Sequence, residues 1–157
     1  MKIVICCVGP TDVPHVQEAI DIYSDRLKHY IPVELIIIPE QKIWKKLSPD
    51  LRKKAEGEAI IAQLSAGDRA VLLDEKGKQY TSEDFAEYLQ KEMGTGAKRL
   101  VFIIGGAFGF SQEVYARVPA KISLSKMTFS HQMIRTLLLE QIYRGMTILR
   151  NEPYHNR

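Results

Sequence analysis

The sequence predicts an α/β protein with a mainly parallel sheet and helices on both faces. Five apolar segments rich in β-branched residues, typical of buried strands, alternate with five segments whose apolar residues have helical spacing. Strict alternation requires crossover connections, which make neighbouring strands parallel. No internal repeat or linker interrupts this order, so we expect a single domain over residues 1–157.

Two predicted strands and two predicted helices make up the N-terminal half. Residues 2–8 and 33–39 are apolar runs of the kind that form buried strands. Residues 14–29, between them, carry apolar side chains on one helical face. Ser48 followed by Pro49 is typical of a helix start, and this helix is expected to continue to about residue 64. Its predicted buried face consists of Leu51, Ala55, Ala59 and Ala62.

The C-terminal half contributes the remaining elements. Its three predicted strands are residues 69–73, 100–104 and 121–124. Thr81 and Ser82 cap a helix that ends at Gly94, and Ser111 begins a short one. The final predicted helix, residues 130–150, is apolar nearly all round. Such a helix must be buried, and in a small protein this indicates a subunit interface.

Composition and charge exclude several classes of protein. The 45% hydrophobic and 26% charged content is ordinary for a globular chain and argues against disorder. No signal peptide and no apolar run of the ~20 residues that span a bilayer are visible, so we expect a cytoplasmic protein without a membrane partner. Cys6 and Cys7 are adjacent and lack metal-like spacing, which predicts buried reduced thiols and no metal site. A net charge of +3 permits an anionic partner such as nucleic acid.

Three loops of unusual composition follow predicted strands. They are Leu73-Asp74-Glu75, residues 105–109 with three glycines, and residues 124–131. Ligands of parallel sheets bind beyond the carboxyl ends of the strands, so we expect a small cofactor there. The glycines match neither a dinucleotide fingerprint nor a P-loop, and the absence of a phosphate-binding lysine favours a cofactor without a phosphate chain. Leu73 is either a core residue or a surface for an adenine ring.

Two polar pairs interrupt the apolar final helix. His131 and Arg135 are four residues apart, as are Glu140 and Arg144, so each pair shares a helical face. A solvated helix start and an ordinary surface ion pair are the simplest interpretations. In a buried helix, however, both pairs would be partly desolvated. The two pairs point in roughly opposite directions, so we hypothesise that one faces its own cofactor loop and the other faces the loop of a partner subunit.

Several motifs occur together in this chain: Leu73-Asp74, Ile104-Gly105-Gly106 with Gly109, the run LSKMTF at residues 124–129, the two polar pairs, and the terminal Pro153-Tyr154-His155. Together they resemble the SPOUT superfamily of RNA methyltransferases, and within it the small enzymes that act on the large ribosomal subunit. The resemblance covers the whole chain. It implies a C-terminal trefoil knot, a homodimer, S-adenosylmethionine as methyl donor, and transfer to N3 of a pseudouridine in 23S rRNA of assembled ribosomes.

The resemblance also implies roles for individual residues. Cofactor contacts fall on Leu73, Gly105, Leu124, Ser125, Lys126, Met127, Thr128 and Phe129. Catalytic and substrate-side candidates are His131, Arg135, Glu140, Arg144, Tyr154 and His155, although composition alone predicts a frayed tail. The N3 proton must be lost, so we expect His155 or Glu140 to accept it and Arg135 or Arg144 to contact the RNA or the ring anion. Ser130 and Asn156-Arg157 depart from the family pattern, which has a proline and a basic residue there.

Two other functions fit parts of the pattern. A flavodoxin-like nucleotide-binding enzyme shows the same alternation of strands and helices, and it predicts binding of a flavin or nucleotide. A non-catalytic dimeric factor that binds ribosomes needs the same apolar interface and predicts co-sedimentation without methyl transfer.

Overall fold

The computed structural model describes residues 1–156. Its strands are β1 (Lys2–Val8), β2 (Val33–Ile38), β3 (Arg69–Gln79), β4 (Arg99–Ile104) and β5 (Lys121–Ser123). Within the described residues they form one sheet in the order β2-β1-β4-β3-β5, and every neighbouring pair is parallel. The predicted α/β class with a parallel sheet is therefore confirmed.

Helices cover both faces of this sheet. They are α1 (Pro14–Leu27), α2 (Pro49–Ile61), α3 (Ser82–Met93), α4 (Gln112–Arg117) and α5 (Met133–Leu149), with a 3₁₀ turn at Lys42–Lys46. The first, third and fifth helices pack on one face, and α2 and α4 pack on the other. No helix within residues 1–156 is long and apolar enough to cross a membrane.

Strand β1 supplies side chains to both hydrophobic cores. Successive residues of a strand point to opposite faces of the sheet. The side chains of Ile3, Ile5 and Cys7 accordingly join the core under α1, α3 and α5, and those of Val4, Cys6 and Val8 join the core under α2 and α4.

The two cysteines should be unreactive in the folded protein. Both are free and fully buried. Burial raises the pKa of the Cys6 thiol to about 12 and also raises that of Cys7, because a thiolate is poorly solvated in an apolar core. At pH 8 we expect a thiol reagent to modify the native chain on the order of a thousandfold more slowly than the urea-unfolded chain. Equal rates would show that β1 opens readily.

The buried face of α2 differs from the predicted one. Leu51 is 56% exposed and Ala62 is exposed, whereas Glu56, Gly57 and Ile60 are buried. The prediction that Leu51 and Ala62 face the core is therefore wrong. The cause is close packing against α4, because α2 approaches that helix along Gly57, where a side chain would collide with α4 and the residue that caps it.

Strand β3 continues beyond Leu73, where the sequence predicted its end. It pairs with β5 on both sides of an irregularity between Leu73 and Lys78. Gly77 lies within this irregular segment, directly against the backbone of Ile122 in β5. The extra strand segment therefore holds β5 in place at the edge of the sheet.

Candidate active site

A cavity of about 700 Å³ opens at the carboxyl ends of β4 and β5 and beside residues 73–76, in the irregular segment of β3. The three loops that the sequence singled out all line it, through residues 73–76, 104–110 and 123–131. The structure thus brings together three loops that are distant in the chain, at the position where parallel sheets bind ligands.

Most of the predicted cofactor contacts line this cavity. Lys126 is the exception: it is exposed and does not contribute to the lining. The lining residues from the predicted set are Leu73, Gly105, Leu124, Ser125, Met127, Thr128 and Phe129.

Hydrogen bonds within the third loop hold its first turn. The Ser123 hydroxyl donates to the carbonyl oxygen of Ser125 at 2.8 Å, and the Ser125 hydroxyl accepts from the Met127 amide at 2.9 Å. The Met127 side chain is 75% exposed. The loop therefore combines a constrained backbone with an apolar side chain turned to solvent.

Ser130 stabilises the start of α5. Its hydroxyl accepts a hydrogen bond from the Met133 amide at 3.1 Å, and its carbonyl accepts one from the Ile134 amide at 3.0 Å. These bonds satisfy two of the unpaired N–H groups of a helix N-terminus. The serine that stands where the resemblance implies proline thus accepts hydrogen bonds from the first two amide groups of the helix, which begins at Met133 rather than at the predicted residue 130.

An unpredicted bridge crosses one wall of the cavity. Asp74 accepts a hydrogen bond from the Tyr115 hydroxyl at 2.5 Å and another from the Lys76 amide at 2.8 Å. Burial and the bond to Asp74 raise the pKa of Tyr115 to about 12. The bridge ties the irregular segment of β3 to α4, and no sequence spacing indicates it because its two residues meet only in the folded chain.

The pair His131 and Arg135 is divided between two environments. His131 lines the cavity, but Arg135 is fully buried. The Arg135 guanidinium donates to Thr11 Oγ1 at 2.8 Å, to the Val8 carbonyl at 2.9 Å and to the His131 carbonyl at 3.1 Å. It therefore fastens the start of α5 to the end of β1. Its role as an RNA or anion contact stays a prediction, and the side chain has no exposed surface in this chain.

The other predicted catalytic residues form a separate cluster between α5 and the C-terminal tail. Glu140 Oε1 accepts from Arg144 Nη2 at 2.5 Å and from the Tyr154 hydroxyl at 3.1 Å. The Tyr154 ring lies under the Arg144 guanidinium at 4.7 Å and packs edge-on against Tyr143. The tail is consequently packed onto α5 through residue 155, where composition predicted fraying.

His155 completes this cluster. Its Nδ1 lies 3.3 Å from Arg144 Nη1, and its Nε2 lies 3.0 Å from Glu83 Oε1. Because a guanidinium can only donate, Nδ1 must be the acceptor. The proton of the neutral ring then sits on Nε2 and is donated to Glu83, so both ring nitrogens are engaged. None of Glu140, Arg144, Tyr154 and His155 lines the cavity of its own chain.

Replacing Tyr154 by phenylalanine tests the packing of the tail. The Tyr154 hydroxyl donates its proton to Glu140. In the 3.3 Å hydrogen bond between the two tyrosine hydroxyls, Tyr23 is therefore the donor and Tyr154 the acceptor. We expect Tyr154→Phe to lower the free energy of unfolding at pH 7 by about 1–2 kcal/mol, measured by urea denaturation. Tyr80→Phe, which removes a hydroxyl with no hydrogen bond in residues 1–156, is the control. An equal effect of both variants would contradict this account.

The same substitution has a pH signature. Burial first, then the Tyr23 and Glu140 contacts, raise the pKa of Tyr154 above its ordinary value. A group whose pKa is higher in the folded chain than in the unfolded chain contributes its full stability below the unfolded pKa, which is about 10 for tyrosine. That contribution is lost as the pH rises further. The difference between Tyr154 and its phenylalanine variant should therefore persist from neutral pH to about pH 9 and shrink above pH 10.

Comparison with known proteins places this arrangement in a family. The family described as "Predicted SPOUT methyltransferase" matches residues 1–155. Three similar proteins carry the name Ribosomal RNA large subunit methyltransferase H. The protein from Christiangramia forsetii is 56% identical over 157 residues, which are 100% of both chains. The one from Parabacteroides distasonis is 56% identical over 156 residues, 99% of both. The one from Flavobacterium johnsoniae is 52% identical over 157 residues, 100% of both.

Proposed function

Because the chain belongs to the SPOUT methyltransferase family, we propose that it methylates N3 of a pseudouridine in 23S rRNA of assembled ribosomes. The methyl donor in this proposal is S-adenosylmethionine. The observation that carries it is the cavity at the strand ends, where the three loops that resemble the cofactor loops of the family meet. The names of the similar proteins support ribosomal RNA as the substrate class.

The residues around the cavity fit this cofactor. Leu73 and Leu124 offer apolar surface for an adenine ring, and the glycines of residues 105–109 leave room for close backbone contact. The charged lining residues are Asp74, Glu75, Lys53 and Lys76, a balanced set that suits a ligand with both charges and no phosphate chain. When bound, the cofactor supplies an electrophilic methyl group on a sulfonium.

We also propose the trefoil knot that the resemblance implies. The chain leaves β5 at one edge of the sheet, yet Gln132 reaches the end of β1, where its Oε1 accepts from the Asp12 amide at 3.1 Å. Strands β4 and β3 lie between these two places. Residues 74–76 of β3 and the loop that leaves β4 line the same cavity as residues 123–131. Passage of the last segment between the other two is the threading that a knot requires.

The distribution of the candidate residues supports a homodimer. His131 lies at the cavity, but Glu140, Arg144, Tyr154 and His155 lie elsewhere in the same chain. The apolar side chains of Met127 and Phe129 are exposed at the cavity mouth and are suited to burial by a second copy. We propose that the tail cluster of one subunit faces the cavity of the other.

The N3 proton remains the chemical problem that the protein must solve. The acceptor nitrogen needs a lone pair aligned with the methyl group, so the proton must leave before or during attack. His155 and Glu140 are the proposed acceptors, and each would exchange one of its present hydrogen bonds for the proton. Arg144, which contacts both, is placed to stabilise the ring anion.

Radiolabelled methyl transfer tests the proposal directly. Ribosomes from a strain that lacks this protein should accept label from S-adenosylmethionine, and free 23S rRNA should accept far less. Binding of ribosomes without methyl transfer would instead support a non-catalytic ribosome-binding factor. Binding of a flavin or nucleotide with no response to S-adenosylmethionine would support the flavodoxin-like alternative.

The shared site has its own test. Mixing subunits that carry His131→Ala with subunits that carry His155→Ala should restore activity, because every mixed dimer then contains one intact site. Lack of recovery in a mixture shown by mass to contain mixed dimers would contradict a site built from two chains.

A further inference from the structure

Glu56 is a buried carboxylate placed directly behind the cofactor cavity. It lies on α2 and is 1% exposed. A Cβ atom on Gly106 would lie 2.9 Å from Glu56 Cδ and even closer to Oε2. Gly106 lines the cavity, whereas Glu56 does not. The carboxylate therefore supports the loop of residues 105–109 from outside the cavity, in the space that a side chain at residue 106 would fill.

The charge of Glu56 is only partly compensated. Arg52 Nε donates to Glu56 Oε1 at 2.8 Å, and this bond is the main cause of the raised pKa of Arg52. The same guanidinium also binds Glu40 and lies 5.5 Å from the centre of the Phe108 ring. The Arg52 guanidinium thus forms ion pairs with two carboxylates and also lies near Phe108, in the loop that Glu56 supports.

One oxygen of this carboxylate has no partner. Glu56 Oε2 is buried and accepts no hydrogen bond within the described residues 1–156. A buried charged oxygen without a hydrogen-bond partner costs free energy, and such atoms are rare in native structures. This oxygen is the atom that a Cβ added to Gly106, in the glycine loop, would approach most closely.

We propose that Glu56 is a positioning residue for the cofactor. Arg52 fixes its carboxylate under the loop of residues 105–109, and Oε2 takes a hydrogen bond from a backbone N–H of that loop in the cofactor-bound enzyme. The cofactor and Glu56 then hold the loop from opposite sides. This inference rests on the proposed function, since it concerns the same cavity.

Kinetics and binding of three variants test the role of Glu56. We expect Glu56→Ala to raise KM for S-adenosylmethionine by about tenfold or more and Glu56→Gln to raise it less, because glutamine has one carbonyl oxygen for two donors. The KM for ribosomes should stay unchanged. Calorimetric affinity for S-adenosylhomocysteine should fall by the same factor as KM rises. Glu58→Gln, on the exposed face of the same helix, is the matched control.

Hydrogen exchange supplies a readout that does not depend on activity. Saturation with S-adenosylhomocysteine should slow exchange in the peptide covering residues 105–110 of the wild type and the control. In the Glu56 variants this protection should be lost or reduced at equal ligand occupancy. Normal protection together with a normal KM in both Glu56 variants would overturn the inference. So would a fall in thermal stability alone, which would make Glu56 merely structural.

A double-mutant cycle covers the case in which a Glu56 variant folds poorly. Gly106→Ala introduces the methyl group that collides with the carboxylate. Its loss of S-adenosylhomocysteine affinity should be smaller in a Glu56→Ala background than in the wild type, and additive losses would contradict the contact. A wild-type chain that binds no S-adenosylhomocysteine would refute the proposed function itself, whereas wild-type binding with unaffected variants refutes only this inference.

Discussion

Arg135→Met should lower the free energy of unfolding by about 3 kcal/mol or more, one of the largest effects expected from a single substitution here. The arginine is fully buried and donates to Thr11, Val8 and His131. Methionine fills part of the volume but donates nothing. The substitution therefore removes the donor from the buried Val8 carbonyl and from two part-buried acceptors, and it releases the start of α5 from the end of β1.

Urea denaturation of matched variants measures this effect. Arg150→Met is the control, because Arg150 is exposed after the end of α5 and donates one long hydrogen bond to the His29 carbonyl. We expect the control to lose about 1 kcal/mol or less. A stable Arg135→Met variant without methyl-transfer activity would contradict the structural role and restore Arg135 as a substrate contact.

Gly77→Ala should damage both stability and cofactor binding. A Cβ atom at this position would lie 2.6 Å from the amide nitrogen of Ile122 and 2.7 Å from its Cα. These are backbone atoms that cannot rotate away, so β3 and β5 must separate. We expect a loss of about 2–4 kcal/mol in the free energy of unfolding. Because β5 leads directly into the loop of residues 124–131, affinity for S-adenosylhomocysteine should fall by about tenfold or more.

Gly94→Ala is the control for this substitution. Gly94 ends α3 with a φ of −76°, and an added Cβ would make only ordinary contact, 3.4 Å from the Lys91 carbonyl oxygen. An alanine there should change stability by about 0.5 kcal/mol or less. Unchanged calorimetric affinity in Gly77→Ala would show that the cofactor loop does not depend on the pairing of β3 with β5.

Much of the fold and part of the site follow from local patterns. The apolar runs predicted all five strands, Ser48 and Thr81 were correctly placed as helix caps, and Ser111 was correctly placed at the start of α4. Because parallel sheets bind ligands at the ends of their strands, the sequence predicted that the three loops form one site, and all three line one cavity. These features were predictable because strands, caps and turns depend on a few neighbouring residues.

The errors came from contacts between distant segments. The predicted buried face of α2 was wrong because Gly57 allows close packing against α4. This packing decides which side of the helix is buried, rather than the spacing of its apolar residues. The predicted length of β3 was too short because the last residues of this strand pair with β5, about forty positions later in the chain. Glu56 was not among the predicted buried residues of α2, since a lone charged residue on a helix is usually solvated.

The sequence by itself determined the α/β class, the order of strands and helices, and which loops form the cavity, because hydrophobic periodicity and turn residues act locally. Only the tertiary structure decided the strand order, the burial of Arg135 and the packing of the tail against α5. Each of these joins residues more than ten positions apart. Such contacts are chosen by the packing and hydrogen bonding of the whole chain, and no local pattern encodes them.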